Sequence, residues 1–284
     1  MAKIDLNKYC MLVALRTGMV GSQKKARDLE AEYDATHQTT GAVSAKKILV
    51  APEYLARLVS LRGKANASHK RLTLPWLVEG QRIISHGTSL SYAEKMNAIR
   101  DEFWAERDQL VARWDEVVEN SRQRLNGLFN EAEMPTAEDA LNSTNLEWNF
   151  FPMPQADHWI GNVAEAEMRA KTEELMAVAQ AQAEQAVYQR IKGAFDQIVG
   201  ALNNKVERNG KLYRSHFEAA GELAEILREY HLEGDGVNSL LEGLDTLSGE
   251  DVDSMKSDRD YAVSVRDKAA QMADLAANML SVAS

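Results

Sequence analysis

The spacing of hydrophobic and polar positions predicts a mixed α and β segment at the start of the chain. Residues 9–20, YCMLVALRTGMV, are apolar and rich in β-branched side chains, which indicates a buried strand. The next stretch, SQKKARDLEAEYDA, favours a short helix with Ser22 as its N-cap. VSAKKILV indicates a second strand or tight extended segment, which ends at Pro52.

A helix and a hairpin are expected between residues 52 and 85. Proline is favoured in the first helical turn, so a helix should start at Pro52, and apolar positions 54, 55, 58, 59 and 61 fit one face of it. RLTLPWLVEGQRIIS contains two apolar runs around Glu79 and Gly80, which predicts a hairpin. Pro75 restricts the first run to an edge strand, because proline has no N–H for a strand ladder.

From Ser91 onward the apolar positions recur at helical spacing. SYAE matches a capping box in which Ser91 and Glu94 would each bond the other's backbone amide. The stripe behind it predicts one helix over residues 92–128, about 55 Å long. Its members are Tyr92, Met96, Ile99, Phe103, Leu110, Trp114, Val117, Leu125 and Leu128.

Further helices are predicted in the C-terminal half. Residues 160–208 contain no proline, and a stripe from Tyr188 to Val206 ends at Asn209-Gly210. A second stripe from Leu212 to Tyr230 ends at EGDG. A third, from Val252 to Met279, has the spacing of a heptad seam with Arg259 as its charged member, and Ser248 is the expected cap. This seam should pack against another helix.

The middle of the chain, NLEWNFFPMPQADHW, interrupts the helical pattern. Pro152 and Pro154 exclude a helix there, and Thr136 to Asp139 can cap a short helical turn just before it. The aromatic side chains should be buried: Trp148, Phe150, Phe151 and Trp159. We interpret residues 145–153 as an edge strand that docks on the N-terminal unit. An aromatic loop folded over the end of the helical bundle is the alternative.

Together these patterns predict a predominantly α fold. A long antiparallel helical hairpin, or coiled-coil-like bundle, should carry a small N-terminal α+β unit. The expected domains are a small basic α+β unit over residues 1–90 and an acidic long-helix region over residues 91–284. Residues 131–158 would form a non-helical connection, rich in aromatic residues and proline, between the long helices.

Composition narrows the class of protein. The 284 residues are 45% hydrophobic and 27% charged, which excludes a wholly disordered chain. The single cysteine, Cys10, lies in an apolar run and is interpreted as a small buried hydrophobe. No apolar stretch approaches the ~20 residues of a membrane span, and the N-terminus lacks a secretory signal. A cytoplasmic protein without a membrane partner is therefore expected.

The net charge of −10 conceals an asymmetry. Residues 1–100 carry +8 and residues 101–284 carry −18. Ten of the eleven Lys and Arg residues between 24 and 82, with Tyr54 and Trp76 among them, are the candidate contacts: Lys24, Lys25, Arg27, Lys46, Lys47, Arg62, Lys64, Lys70, Arg71 and Arg82. Cations interleaved with aromatics suit single-stranded nucleic acid, through phosphate neutralisation and base stacking. The acidic arm of a neighbouring subunit and an ordinary solvated surface are the alternatives.

Catalytic and metal-binding patterns are missing from the sequence. No phosphate-binding loop, GxSxG motif or histidine pair at metal-ligand spacing occurs. DVDSMKSDRDY has Lys256 where a calcium loop needs glycine. Asp157, His158 and Trp159 form one polar-aromatic triplet in which the histidine could act as a base, although a capping or packing role is more common. We expect no enzyme, no cofactor and no metal.

The order of elements resembles a known protein family. KKILVAPEYLARLV, LPWLVEGQRIIS, the capped helix with Phe103 and Trp104, and LEWNFFPMP together are similar to the domain-of-unknown-function family numbered 3150. The resemblance covers most of the chain. It implies a phage or mobile-element origin, a bacterial host cytoplasm, and a genetic neighbourhood with an AAA+ ATPase of the MoxR type and a von Willebrand-type adhesion-domain protein. It implies no established reaction and no catalytic residue.

Two functions follow as expectations. The first is a non-enzymatic helical protein that forms a homo-oligomer or docks a partner such as the ATPase, because the long helices offer several apolar stripes. The second is a nucleic-acid-binding protein that coats or anneals single strands with its basic N-terminal unit.

Overall fold

The computed structural model describes residues 4–155 and 163–282, and within them it contains eleven helices and six strands. The helices are α1 (Leu6–Tyr9), α2 (Arg27–His37), α3 (Pro52–Leu72), α4 (His86–Ala112), α5 (Trp114–Leu125), α6 (Ala137–Ser143), α7 (Val163–Arg208), α8 (Ser215–Arg228), α9 (Asp235–Ser248), α10 (Val252–Ser257) and α11 (Arg259–Val282). The strands are β1 (Cys10–Thr17), β2 (Gln23–Lys25), β3 (Lys46–Ile48), β4 (Leu74–Pro75), β5 (Gln81–Ser85) and β6 (Leu146–Phe151). The predicted fold class, mainly helical with a small α+β part, is confirmed.

The chain forms two compact units, each built from separated stretches of sequence. Unit 1 contains Met1–Ala14, Leu72–Ser91 and Phe150–Ser284, and unit 2 contains Leu15–Arg71 and Tyr92–Asn149. The chain passes from one unit to the other four times, and two of these crossings lie within β1 and β6. The separate folding domains expected for residues 1–90 and 91–284 stay a prediction.

Four strands form an antiparallel sheet in the order β4-β5-β1-β6. β5 is paired on both sides, so that Ile83 lies opposite Leu12 of β1 and Leu74 of β4, and all three side chains are buried. Pro75 lies on the edge strand β4, where its missing N–H breaks no ladder. β6 forms the opposite edge. The hairpin, the position of Pro75 and the edge strand in the 145–153 segment are therefore confirmed.

Unit 1 is centred on α7 and α11. The buried stripe of α7 repeats at three and four residues and comprises Ala179, Ala183, Val187, Ile191, Phe195, Ile198 and Leu202. α11 faces it with Ala262, Val265, Ala269 and Ala276, and these small side chains allow the two helices to approach closely. Phe195 of α7 and Met272 of α11 both lie beside Gly243. Further toward the C-terminus of α7 and toward the N-terminus of α11, Arg208 and Arg259 line one groove. The two helices therefore run antiparallel. The predicted packing of the C-terminal seam is confirmed.

Unit 2 buries one face of α3 and one face of α4. Leu58, Leu61, Met96 and Phe103 are almost inaccessible to solvent. The Nδ1 atom of His69 lies 2.8 Å from the Tyr92 hydroxyl, which gives two buried polar groups a hydrogen bond. The apolar periodicity of both helices was visible in the sequence.

The helix that was predicted to start after Ser91 starts at His86. Ser85 is the last residue of β5, and its Oγ accepts the Thr88 N–H at 3.1 Å, so the cap lies where the chain leaves the strand. The Ser91 hydroxyl donates to the Thr88 carbonyl within the helix, so the predicted capping box is wrong. The single helix over residues 92–128 is also wrong, because α4 ends at Ala112 and α5 begins at Trp114, with Arg113 between them.

Two further cap predictions are wrong. Ser22 does not start α2, because residues 23–25 form β2, and the Ser22 carbonyl accepts the Leu49 N–H at 2.8 Å. Ser248 is the last residue of α9, and Asp251 caps α10 instead by accepting the backbone N–H groups of Asp253 and Ser254. The capping box of Thr136 and Asp139 is confirmed.

The C-terminal seam is interrupted at Asp258. Its carboxylate accepts the Tyr261 N–H at 2.9 Å and begins a new helix. Arg259 is consequently the first residue of α11 and is exposed, so its assignment to a continuous seam is wrong. α9 was not recognised as a separate helix, although Val237, Leu240 and Leu244 mark its buried face.

A buried polar cluster surrounds Leu72 and Thr73. The Arg82 Nε donates to the Thr73 hydroxyl at 2.6 Å, and its Nη2 donates to the Thr73 carbonyl at 3.2 Å. Arg190 donates to the same carbonyl. The Tyr230 hydroxyl lies 3.1 Å from the carbonyl oxygens of both Leu72 and Ile83. Burial lowers the pKa of both arginines and raises that of Tyr230.

Candidate functional site

Four of the predicted cations form a lysine ribbon in unit 2: Lys24 and Lys25 on β2, and Lys46 and Lys47 on β3. The antiparallel register places Lys24 opposite Lys47 and Lys25 opposite Lys46. Like charges directly opposite each other on paired strands destabilise the pairing. The ribbon therefore requires nearby carboxylates or a bound anion.

Glu133 neutralises one pair of the ribbon. Its carboxylate lies 2.6 Å from the Lys47 Nζ and 4.0 Å from the Lys24 Nζ. The Lys47 and Glu133 side chains are only 10% and 17% exposed. The hydrogen bond from Lys47, with smaller help from the charge of Lys24, holds the pKa of the Glu133 carboxyl below its ordinary value.

Glu30 neutralises part of the second pair. Its carboxylate accepts the Ala45 N–H at 2.9 Å and lies 3.2 Å from the Lys25 Nζ. The hydrogen bond from the Ala45 backbone is the main reason that the pKa of Glu30 is lowered. Lys46 is exposed, so the ribbon presents much less free charge than its four lysines suggest.

The other predicted cations lie outside the two strands of the ribbon. Arg27 is the exposed first residue of α2. Four other cations lie within α3: Arg62, Lys64, Lys70 and Arg71. Arg82 belongs to unit 1, where it binds Thr73. Trp76 is also in unit 1 and is only 8% exposed, and Tyr54 is half-buried. Trp76 is thus too buried to stack on a nucleic-acid base.

Folding removes the charge asymmetry of the sequence within unit 2. This unit combines the cations of Leu15–Arg71 with the acidic residues of Tyr92–Asn149, so that it holds 17 Lys and Arg against 18 Asp and Glu. Its net charge is close to zero. The net charge of +8 over residues 1–100 therefore does not correspond to a basic structural unit.

The aromatic segment is only partly buried. Trp148 and Phe150 are half-buried, and Phe151 is 38% exposed, so the expectation that all of these side chains are buried is wrong. Along an edge strand alternate side chains point to opposite faces, which leaves one set toward solvent. Trp148 contacts the buried Tyr92 edge-on, with ring centroids 5.7 Å apart. Trp159 and the Asp157-His158 pair lie outside the described residues.

The first part of α7 carries apolar side chains that are exposed. We call residues 166–178 the α7 arm. Met168, Leu175 and Val178 are 41%, 37% and 45% exposed. Met168, Thr172 and Leu175 continue, at spacings of four and three residues, the stripe that is buried from Ala179 onward. The arm is thus an extension of a core-forming helix face.

Comparison of the chain with protein-family models, with curated proteins and with solved structures found no match. Across residues 4–155 and 163–282, no group of three His, Cys, Asp or Glu side chains has a geometry that could hold a metal ion. In the same residues no helix is long and apolar enough to cross a bilayer. The resemblance to the domain-of-unknown-function family numbered 3150 stays a prediction.

Sequence reasoning missed the α7 arm as a candidate surface. The signal was present, because Met168 and Leu175 are seven residues apart and in phase with the buried stripe. Periodicity identifies an apolar face but does not show where the helices that cover it end.

Proposed function

We propose that the protein is a non-enzymatic, self-assembling helical protein in which the α7 arms of two copies pair antiparallel. The observation that carries the proposal is the exposed continuation of the α7 stripe at Met168 and Leu175. A helix face that is apolar and in phase with a core is suited to burial against another helix.

The arm extends past the helix that covers the rest of α7. The covering helix is α11, in which Met272 lies level with Phe195 of α7. The last residue of α11, Val282, is ten residues beyond Met272. Because the two helices are antiparallel, Val282 lies level with a position about ten residues before Phe195. The Ile4 N–H donates to the Glu184 Oε1 at 3.3 Å, which places the start of the chain against the next turn. The arm lies on the N-terminal side of both contacts and spans about 20 Å, and within it Met176 packs against the core of unit 1.

Charge favours a second copy of the arm as the occupant. Antiparallel pairing centred between Lys171 and Thr172 places Met168 opposite Leu175 of the second copy. It also places Arg169 opposite Glu174, so that two ion pairs form around the apolar contact. Parallel pairing in register would instead place Arg169 against Arg169 and Glu174 against Glu174.

The interface is short. Stable protein interfaces bury about 1,200–2,000 Å² in total, and two arms of this length provide less. The dimer should therefore dissociate on dilution.

Sedimentation equilibrium over a range of concentrations tests the proposal. The wild-type mass should rise from 31.6 kDa toward twice that value, and the double variant Met168→Glu, Leu175→Glu should stay monomeric. The matched control is Leu90→Glu with Tyr213→Glu, which changes side chains 69% and 55% exposed elsewhere and should dimerise normally. A wild-type protein that is monomeric at every concentration would refute the proposal.

A charge exchange tests the antiparallel arrangement. Arg169→Glu or Glu174→Arg alone should weaken the dimer, because each places like charges across the seam. The two changes together should restore it. A double variant as weak as the single variants would show that these residues do not face each other.

Nucleic-acid binding is the second candidate function, and the lysine ribbon favours it. A two-stranded ribbon with cross-strand lysines can follow a phosphate backbone. Glu133 and Glu30 compete with phosphate for these lysines, which weakens the case. Binding of labelled single-stranded DNA at low salt that is lost when Lys24, Lys25, Lys46 and Lys47 are changed to Gln would support this function. The phage origin and the AAA+ ATPase partner rest on family resemblance and stay predictions.

A further inference from the structure

We infer that a groove at one corner of unit 1 binds the diphosphate group of a small phosphorylated molecule. This corner groove lies between the last turn of α7, with Lys205 and Arg208, and the junction of α10 and α11, with Lys256 and Arg259. Its volume is about 510 Å³, within the range of small-molecule sites. The inference is independent of dimerisation through the α7 arm.

The charge of the corner groove opposes that of its surroundings. Unit 1 contains 16 Lys and Arg against 25 Asp and Glu. The groove nevertheless brings four cations together, and Glu207 is the acidic residue in its lining. A concentration of positive charge in an acidic unit is the property that an anion site requires.

The four cations differ in whether their side chains already form hydrogen bonds or ion pairs. Lys205 donates to the Asn209 Oδ1 at 2.7 Å, and Lys256 lies 2.6 Å from the Asp253 carboxylate. Within the part of the chain that the structure describes, the guanidinium groups of Arg208 and Arg259 form no side-chain hydrogen bond or ion pair. Two guanidinium groups at one groove repel each other, and each presents a planar fork that matches phosphate oxygens.

Helix dipoles explain only half of this arrangement. Lys205 and Arg208 lie in the last turn of α7, where positive charge stabilises a helix without any ligand. Arg259 is the first residue of α11, where positive charge is unfavourable. Asp258 and Asp260 flank it and reduce this cost, but neither side chain pairs with its guanidinium. A phosphate group between Arg208 and Arg259 would neutralise both.

Because two lysines line the groove beside the two arginines, a diphosphate matches its positive charge better than a single phosphate does, and a nucleotide or inorganic pyrophosphate could supply it. The groove is larger than pyrophosphate alone, and the half-buried Val206 gives it an apolar wall. A nucleoside portion would contact that wall, so a nucleotide should bind more tightly than pyrophosphate. Equal affinity would identify inorganic diphosphate as sufficient.

Isothermal titration at constant ionic strength with pyrophosphate, ADP and adenosine tests the inference. Pyrophosphate and ADP should bind, and adenosine should not. The double variant Arg208→Gln, Arg259→Gln should lower the affinity for ADP at least tenfold. The matched control, Arg266→Gln with Lys268→Gln, removes the same charge from α11 at residues paired with Asp267 and Glu250, and should bind normally.

Several outcomes would overturn the inference. The first is that neither pyrophosphate nor ADP binds at millimolar concentration. The second is that both double variants lose affinity equally, which would show a general effect of charge. The third is that sulfate binds as tightly as pyrophosphate, which would show an adventitious ion only. Circular dichroism of both variants ensures that a loss of binding is not a loss of folding.

Discussion

Replacing Tyr230 by phenylalanine removes one oxygen atom from the centre of unit 1. Tyr230 is fully buried, and its hydroxyl is 3.1 Å from the carbonyl oxygens of Leu72 and Ile83. Leu72 is the last residue of α3, so its carbonyl has no partner within the helix. Without the hydroxyl, these buried carbonyls lose a donor that no water can easily replace.

The expected cost follows from this geometry. A buried polar group that loses its hydrogen-bond partner costs about 1–3 kcal/mol, and the more apolar phenylalanine ring recovers part of it. We expect the free energy of unfolding to fall by about 2 kcal/mol. Urea denaturation followed by circular dichroism measures this, with Tyr213→Phe as the control because Tyr213 is 55% exposed. A Tyr230→Phe variant as stable as the control variant would refute the assigned role of the hydroxyl.

Two further predictions concern Trp148 and Glu133, which both belong to unit 2. Trp148→Ala should lower the free energy of unfolding by about 2 kcal/mol, because the half-buried side chain and its edge-on contact with Tyr92 are lost. Phe151 is 38% exposed, so Phe151→Ala should lower the free energy of unfolding clearly less in the same denaturation assay. The Glu133 carboxyl has a folded pKa below its ordinary value of 4.5, so its contribution to stability is present above that value and is lost as the pH falls through the folded pKa. Glu133→Gln should therefore be less stable than wild type at pH 7, and the difference should shrink as the pH falls below 4.5 and through the folded pKa; a pH-independent difference would exclude the ion pair as its cause.

Long-range periodicity was the part of the fold that the sequence could predict. In α7 and α11 apolar residues recur over many turns, and only a helix places them on one face. Pro75 and the hairpin around Gly80 were also readable, because proline and glycine restrict the backbone locally.

Helix starts and the candidate sites depend on contacts that the sequence does not display. Ser85 and Ser91 are both acceptable N-caps, and the end of β5 decides between them. The lysine ribbon needs the register of two three-residue strands, and its neutralisation comes from Glu133, which is distant in sequence. The corner groove exists only because α11 folds back on α7 after the break at Asp258.

The four crossings of the chain between its two units determine the order in which the units can be completed during synthesis. Unit 2 ends at Asn149, so all of its residues have been made when the ribosome has translated about half of the sequence. Unit 1 includes both Met1–Ala14 and Phe150–Ser284, so its earliest residues must wait for the last helices. No single cut of the chain can release unit 1 as one continuous fragment, because its three stretches are separated by the two stretches of unit 2.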